Sequence, residues 1–273
     1  MGTMTTYEEL QNLPVDALRQ VFRANRYTGH TAAMGKGRLQ ANLAILPAAD
    51  AIDFFRFCQR NPKPCPLVGV SDTGDPMLRT LGDIDIRTDV PSYNVYRDGE
   101  LVEKVPDIKA LWRDDFIAFA LGCSFTFERA LAAAGLPLRH VEENKIVSMF
   151  RTSIQTVPAG RFGGDTVCSM RPMSPAQARQ AVEICRAYPQ AHGAPVQVGE
   201  PEKIGVTDVS KPDWGDALTF LPNEIPVFWA CGVTPQVALL RAKPSICITH
   251  TPGSMLITDV PEDAEVTVLA PAA

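Results

Sequence analysis

PVFWACGVTPQVALLRAKPSICITHTPGSM, residues 226–255, is the stretch around which the rest of the chain organises. The apolar run Pro226–Ala230 reads as a strand that stops at Cys231-Gly232. Thr234 then offers a hydroxyl for a helix N-cap, and Pro235 suits the first helical position. After a short helix, Ser245–Thr249 reads as a second buried strand ending at His250. Thr251-Pro252-Gly253 turns the chain, and Ser254–Val260 returns. Two strand ends, a helix N-terminus, a thiol and an imidazole are thus expected at one sheet edge, where open α/β sheets hold their ligands. The unpaired N–H groups of the helix start suit a carboxylate or a phosphate.

The bulk numbers narrow the classes. A chain of 273 residues is long enough for one large domain or two ordinary ones. A net charge of −5 with no long basic run speaks against nucleic acid and against an anionic membrane surface. No apolar run approaches the ~20 residues a membrane helix needs, and the N-terminus lacks the shape of a signal peptide. The seven Cys are odd in number, dispersed and without a CxxC pair, so a reduced, cytoplasmic chain is expected, with neither a disulfide framework nor a structural zinc site.

Along the chain, residues 5–25 give two short amphipathic helices broken at Pro14. A loop with Arg26, Tyr27, His30, Thr31 and Lys36 leads into a strand at Leu39–Leu46, and Ala48–Arg60 is a helix. Pro62, Pro64 and Pro66 stiffen a connector carrying Arg60 and Lys63 ahead of a strand at Leu67–Val70; such cations lose little entropy on meeting an anion, and otherwise simply face water. Asp83, Asp85, Arg87 and Asp89 alternate with Ile84, Ile86, Thr88 and Val90, the pattern of a half-buried strand with a solvated charged face. Asp98-Gly99 between two alternating runs predicts a hairpin over 94–105. Ile108–Leu121 has the period of an amphipathic helix. Ser124 is placed to cap a second one over Phe127–Ala134, which sets Cys123 beside a helix N-terminus, where a thiolate is favoured, or else buries it as a packed Cys. Strands are expected at Met149–Ile154, Thr166–Met170, Ile204–Val209 and Ala217–Leu221. Ser174-Pro175-Ala176-Gln177 is a capping box opening a helix to about Tyr188. The tail after Pro261 reads as a final short strand or a fraying end, and no internal repeat is apparent.

These elements predict an α/β fold of mixed sheets flanked by helices, in two α/β subdomains with the site at their junction. Residues 1–90 and 165–273 are expected to form a discontinuous main α/β domain, and 91–164 a smaller inserted α+β subdomain.

Eight segments in order add to this reading: GHTA (29–32), QANLAILP (40–47), FCQRNPKPCPL (57–67), DIDIRTDVPSY (83–93), GCSFTFE (122–128), HGAPV (192–196), PVFWACGVTPQ (226–236) and ITHTPGSMLITD (248–259). Together they resemble the bacterial hydro-lyases of the D-glutamate cyclase family. The resemblance implies a two-part α/β fold and a carbon–oxygen lyase acting on a small carboxylate or amino acid. A non-enzymatic carboxylate binder or a partner subunit is the alternative. Such a lyase needs a cradle for the carboxylate, a base and an acid. His250, Cys123, His192 and Cys231 are the candidates for proton transfer. His30, Arg60, Lys63, Arg87, Ser124, Glu128, Arg151 and Thr234 are the candidates for binding substrate. No cofactor or metal is expected, and the expected partner is a small carboxylate or amino acid, with neither nucleic acid nor membrane; a homo-oligomer is compatible with the chain.

Overall fold

The computed structural model describes residues 4–264. Two short helices open the chain, α1 (Tyr7–Leu10) and α2 (Val15–Arg23). Then come β1 (Arg38–Pro47), α3 (Ala48–Arg60), β2 (Leu67–Val70), the hairpin β3 (Tyr93–Arg97) and β4 (Glu100–Val105), and β5 (Phe116–Gly122). α4 (Phe125–Ala133), α5 (Arg139–Glu142) and β6 (Ser148–Gln155) follow, then β7 (Asp165–Met173), α6 (Pro175–Arg186), β8 (Gln197–Val198) and β9 (Ile225–Ala230). α7 (Val233–Ala242), β10 (Cys247–His250) and β11 (Leu256–Pro261) complete the described chain. This is an α/β architecture of two open sheets. The larger has the order β2-β5-β1-β10-β3-β4, with β11 also on β1, and the smaller the order β6-β7-β9-β8. Every ladder between them is antiparallel. The stretch 91–164 contributes β3, β4 and β5 to the larger sheet and β6 to the smaller.

Local chemistry accounts for most elements. Asp98 and Gly99 both adopt positive φ, as a tight hairpin turn demands. The Ser174 hydroxyl and the Gln177 side chain form the reciprocal capping box that starts α6. Three expectations give way. Residues 108–121 are not one helix, because PheIleAlaPheAlaLeuGly is a continuous apolar run buried on both sides between β2 and β1, and burial overrides the helical period. Residues 83–90 form turns, not a strand. The Asp89 carboxylate takes the Asp85 N–H and Asp85 takes the Arg87 N–H, so side chains capture the donors a strand would use. Residues 204–209 and 217–221 are a single 3-10 turn and irregular chain that never join the smaller sheet. The residues after Ala264, where a last strand or frayed end was expected, lie outside the described chain.

The sheets also overturn the expectation that the chain holds no repeat. β5-β1-β10, flanked by β2, matches β9-β7-β6, flanked by β8. The register is the same in both: Ala41 faces Gly122 as Cys168 faces Ala230, and Leu46 faces Ile117 as Met173 faces Ile225. Carried along the chain without a gap, this register sets Ala51 against Ala178, Cys58 against Cys185 and Pro62 against Pro189. On the partner strand it sets Cys123 against Cys231, Thr126 against Thr234 and Glu128 against Gln236. The hydrogen bonds repeat as well. Cys123 N–H donates to Gln40 O (3.0 Å) and Gln40 N–H to Thr126 Oγ1 (3.2 Å); Cys231 N–H donates to Val167 O (3.0 Å) and Val167 N–H to Thr234 Oγ1 (2.9 Å).

The two halves exchange their ends. α4 leaves β5 of the larger sheet, yet Phe127 and Leu131 pack with Met173, Val227 and Trp229 over the smaller one. α7 leaves β9 of the smaller sheet, yet Ala238 and Leu239 pack with Ala44, Leu46 and Phe119 over the larger one. The strands that follow, β6 and β10, pair in the sheet each helix has crossed to.

Candidate active site

The crossing brings the two strand-to-helix turns, Gly122-Cys123-Ser124 and Cys231-Gly232, to one place. Gly232 is required there: a Cβ on it would fall 2.4 Å from Asn42 Nδ2, whose amide donates to the Leu121 and Gly122 carbonyls. Gly122 is tighter still, since a Cβ would fall 1.6 Å from the Gln190 backbone oxygen. Cys123, Ser124, Phe125, Cys231 and Val233 keep partial exposure, so the junction meets solvent along these turns. Thr234 does not cap α7, because its hydroxyl is taken by Val167 N–H; Ser124 likewise makes no side-chain cap on α4.

Behind the turns lies a buried polar cluster on the smaller sheet. Arg171, on β7, is 0% exposed. One of its terminal nitrogens donates to Ser169 Oγ (3.1 Å) and the other to the Glu128 carboxylate. Its guanidinium lies 5.3 and 5.1 Å from the ring centroids of Phe127 and Trp229, which stack on each other 5.7 Å apart. The same Glu128 oxygen faces His140 Nε2 of α5 at 3.5 Å. Burial works to raise the Glu128 pKa, but the Arg171 charge and the His140 and Arg171 hydrogen bonds outweigh it and bring it down to about 2. Glu128 is therefore a fixed anion. Toward that anion Nε2 can act only as a donor, so Nδ1 is the ring nitrogen left for other chemistry. Nδ1 is buried and has no hydrogen-bond partner among the described residues.

The repeat supplies an internal control for this cluster. At the matching register the larger sheet has Ala44 where the smaller has Arg171, and α7 has Gln236 where α4 has Glu128. Ala44 sits in an apolar cluster with Phe54, Phe57, Phe119 and Phe162. The same fold is thus built without an ion pair in one half and around one in the other. A buried pair is an expensive way to hold a fold together, so its presence on one side only points to chemistry.

The twelve residues singled out by sequence divide into two groups. Glu128, Cys123, Ser124, Cys231, Lys63 and His192 gather around the junction. The His192 Nδ1–H donates to Lys63 O (2.9 Å), and its pKa, lowered to about 4 by burial, also feels the charges of Arg171 and Lys63. Arg171 and Glu128 both act on the Cys231 thiol. The remainder have other engagements. Arg60 donates to Pro158 O (2.6 Å), Arg87 grips Asp85 with two nitrogens, and Arg151 lies by Asp165 and over the Trp214 ring. His30 packs on Tyr7 at the N-terminal helices, and Thr234 holds β7. His250 is 1% exposed; its Nδ1 accepts Leu43 N–H (3.0 Å), and burial lowers its pKa to about 4. The thiolate favoured at a helix start is not formed at Cys123. Phe125 N–H does reach the sulfur, but burial dominates and pushes the thiol up to about 12, and Cys231 is raised for the same reason. Sequence reasoning missed His140, Arg171 and Ser169. Arg171 lay in an otherwise apolar strand, TVCSMRPM, and a lone charge in such a run is the signal that was there to be followed.

The model of the family described as D-glutamate cyclase matches residues 117–259, a span holding Glu128, His140, Arg171 and both turns. Relatives align over nearly the whole chain. One from Dinoroseobacter shibae is 58% identical over 99% of this chain and 90% of its own length. The chain belongs to the D-glutamate cyclase family. A second member, from Verminephrobacter eiseniae, is 61% identical over 89% of each chain, and a third, from Jannaschia sp., is 60% identical over 91% of this chain and 94% of its own. All three carry the name "Putative hydro-lyase". Among the described residues no helix is long and apolar enough to cross a membrane, and no group of three or more His, Cys, Asp or Glu is placed to hold a metal ion.

Proposed function

We propose that the chain is a hydro-lyase that removes water from a small amino dicarboxylate, closing D-glutamate or a close analogue to its lactam, with His140 as the proton carrier. The observation that carries this reading is the buried His140–Glu128–Arg171 cluster, present in one half of the repeat while the other is built without an ion pair. In this reading the substrate's ammonium gives a proton to His140 Nδ1, a step that requires the buried nitrogen to be uncovered at the junction. The neutral amine attacks the side-chain carboxyl carbon, forming the C–N bond. The tetrahedral adduct then breaks a C–O bond: the departing oxygen takes back the proton held by His140 and a second proton from the attacking nitrogen, and leaves as water, with the lactam N–H left behind. Glu128 fixes the ring and stabilises the imidazolium while it exists; Arg171 keeps Glu128 ionised and in place. Cys123 and Cys231, as neutral thiols, are walls of the site and not nucleophiles.

The test is product analysis on D- and L-glutamate and related hydroxy and amino diacids with wild type and His140→Asn. Turnover by the wild type on at least one of them, reduced about a hundredfold or more in the variant with the melting temperature retained, supports the assignment. Stabilisation of the wild type by these acids with no product from any of them makes the chain a binder and removes the enzymatic reading.

A further inference from the structure

Lys63 has the features of an ammonium group awaiting an anion. It sits between Pro62 and Pro64, whose rings fix φ on either side of it, so the backbone that carries it is stiff. Its carbonyl is held by the ring of His192, a residue in the left-handed region at φ 76° that the turn must be strained to accommodate. Its side chain is half-buried and runs over Gly193, where a Cβ would lie 3.7 Å from Nζ. Among the described residues, Nζ has neither a hydrogen-bond acceptor nor a carboxylate partner. The nearby titratable groups that act on it are the thiols of Cys168 and Cys185. The turn it lies over, 190–193, packs its Gln190 and Ala191 backbone against Gly122, which ties Lys63 to the same junction. The one carboxylate of the cluster, Glu128, is already matched by Arg171 and His140, so the local balance is one positive charge in excess. Burial without an anion lowers the Lys63 pKa, which is the cost an arriving carboxylate would remove.

We propose that Lys63 is the specificity-determining residue of the site: its ammonium takes the substrate carboxylate that does not react, which selects diacids over monoacids. The proposal rests on the active-site reading above, and its test is arranged so that the two fail separately. Glutarate, a diacid that has no amine and cannot cyclise, is titrated calorimetrically into full-length wild type, Lys63→Met, Lys63→Arg and His140→Asn, with butyrate as the monoacid probe. The expected result is glutarate binding at least tenfold tighter than butyrate in wild type. Lys63→Met should weaken glutarate about tenfold or more and abolish that preference, Lys63→Arg should restore part of it, and His140→Asn should leave it standing. In the turnover assay, Lys63→Met should raise KM for the diacid with little change in kcat. Melting temperatures of the variants show whether each is folded. Equal glutarate affinity in wild type and folded Lys63→Met, or no preference for glutarate over butyrate in wild type, overturns the assignment of Lys63. Loss of turnover in every protein while the glutarate pattern holds overturns only the enzymatic reading.

Discussion

Glu128→Gln changes one oxygen to nitrogen and installs the residue that the other half of the repeat carries at the same place, Gln236. It leaves the Arg171 guanidinium buried without an anion. Removing one partner of a buried pair costs about 3–5 kcal/mol. The same size follows from titration: a carboxyl lowered from 4.5 to about 2 carries about 3 kcal/mol of folding free energy at neutral pH. Because the folded value lies below the unfolded one, this contribution is complete above pH 4.5 and disappears as pH falls toward 2. In urea unfolding at pH 7 the variant should therefore be about 3–5 kcal/mol less stable than wild type, with a melting point lower by on the order of 10 °C. The gap should close as pH is lowered below about 4.5, since wild type then loses what the variant never had. Taking the difference between the two proteins cancels the other titrating groups. The double variant Glu128→Gln with Arg171→Met should recover most of the stability, as apolar replacement of buried pairs does, and none of the turnover. A stability gap under about 0.5 kcal/mol at pH 7, or one that stays constant down to pH 3, would refute the reasoning.

Three further outcomes are expected. His192 and His250 are held neutral with pKa values near 4 against an ordinary 6.5, so the unfolded chain takes up protons first and the wild type should lose stability as pH falls from 6.5 to 4; His250→Gln should flatten that slope in a pH series of thermal melts. Cys123, with its thiol near 12, should hold about one thiolate per ten thousand molecules at pH 8, about a thousandfold fewer than an ordinary Cys, so mass spectrometry after iodoacetamide treatment of the native protein should find it unmodified, and modified only after unfolding. Gly122→Ala should cost at least about 3 kcal/mol, because the obstruction is backbone, whereas Gly232→Ala meets a side-chain amide that can rotate and should fold, with Asn42 displaced and turnover reduced.

Much of the scaffold was legible in the residues. The bounds of α3 and β2, the Asp98-Gly99 hairpin and the capping box of α6 follow from local signals that the tertiary structure reinforces. The misreadings share one cause. At β5 and at residues 83–90 the local period pointed one way while burial between two strands, or carboxylates capping their own backbone, decided the outcome. The site was half legible. Glu128 and the two Cys-bearing turns could be named because each turn was read as opening a helix, with Glu128 one turn in. Arg171 and His140 could not be joined to Glu128 from sequence, since the helix that carries Glu128 crosses to a sheet made of later residues. The repeat was hidden for a related reason: its matched residues are few, and only strand register aligns them.

The exchange of β6 and β10 ties the two halves as clasped hands are tied. β10 lies inside the larger sheet, between β1 and β3, so the smaller sheet cannot be lifted away without drawing out an interior strand. Neither half is a separable module. The polypeptide is interlocked with itself in the way that strand-swapped dimers interlock two copies, and the seam where its halves pass each other is the place it has given over to chemistry.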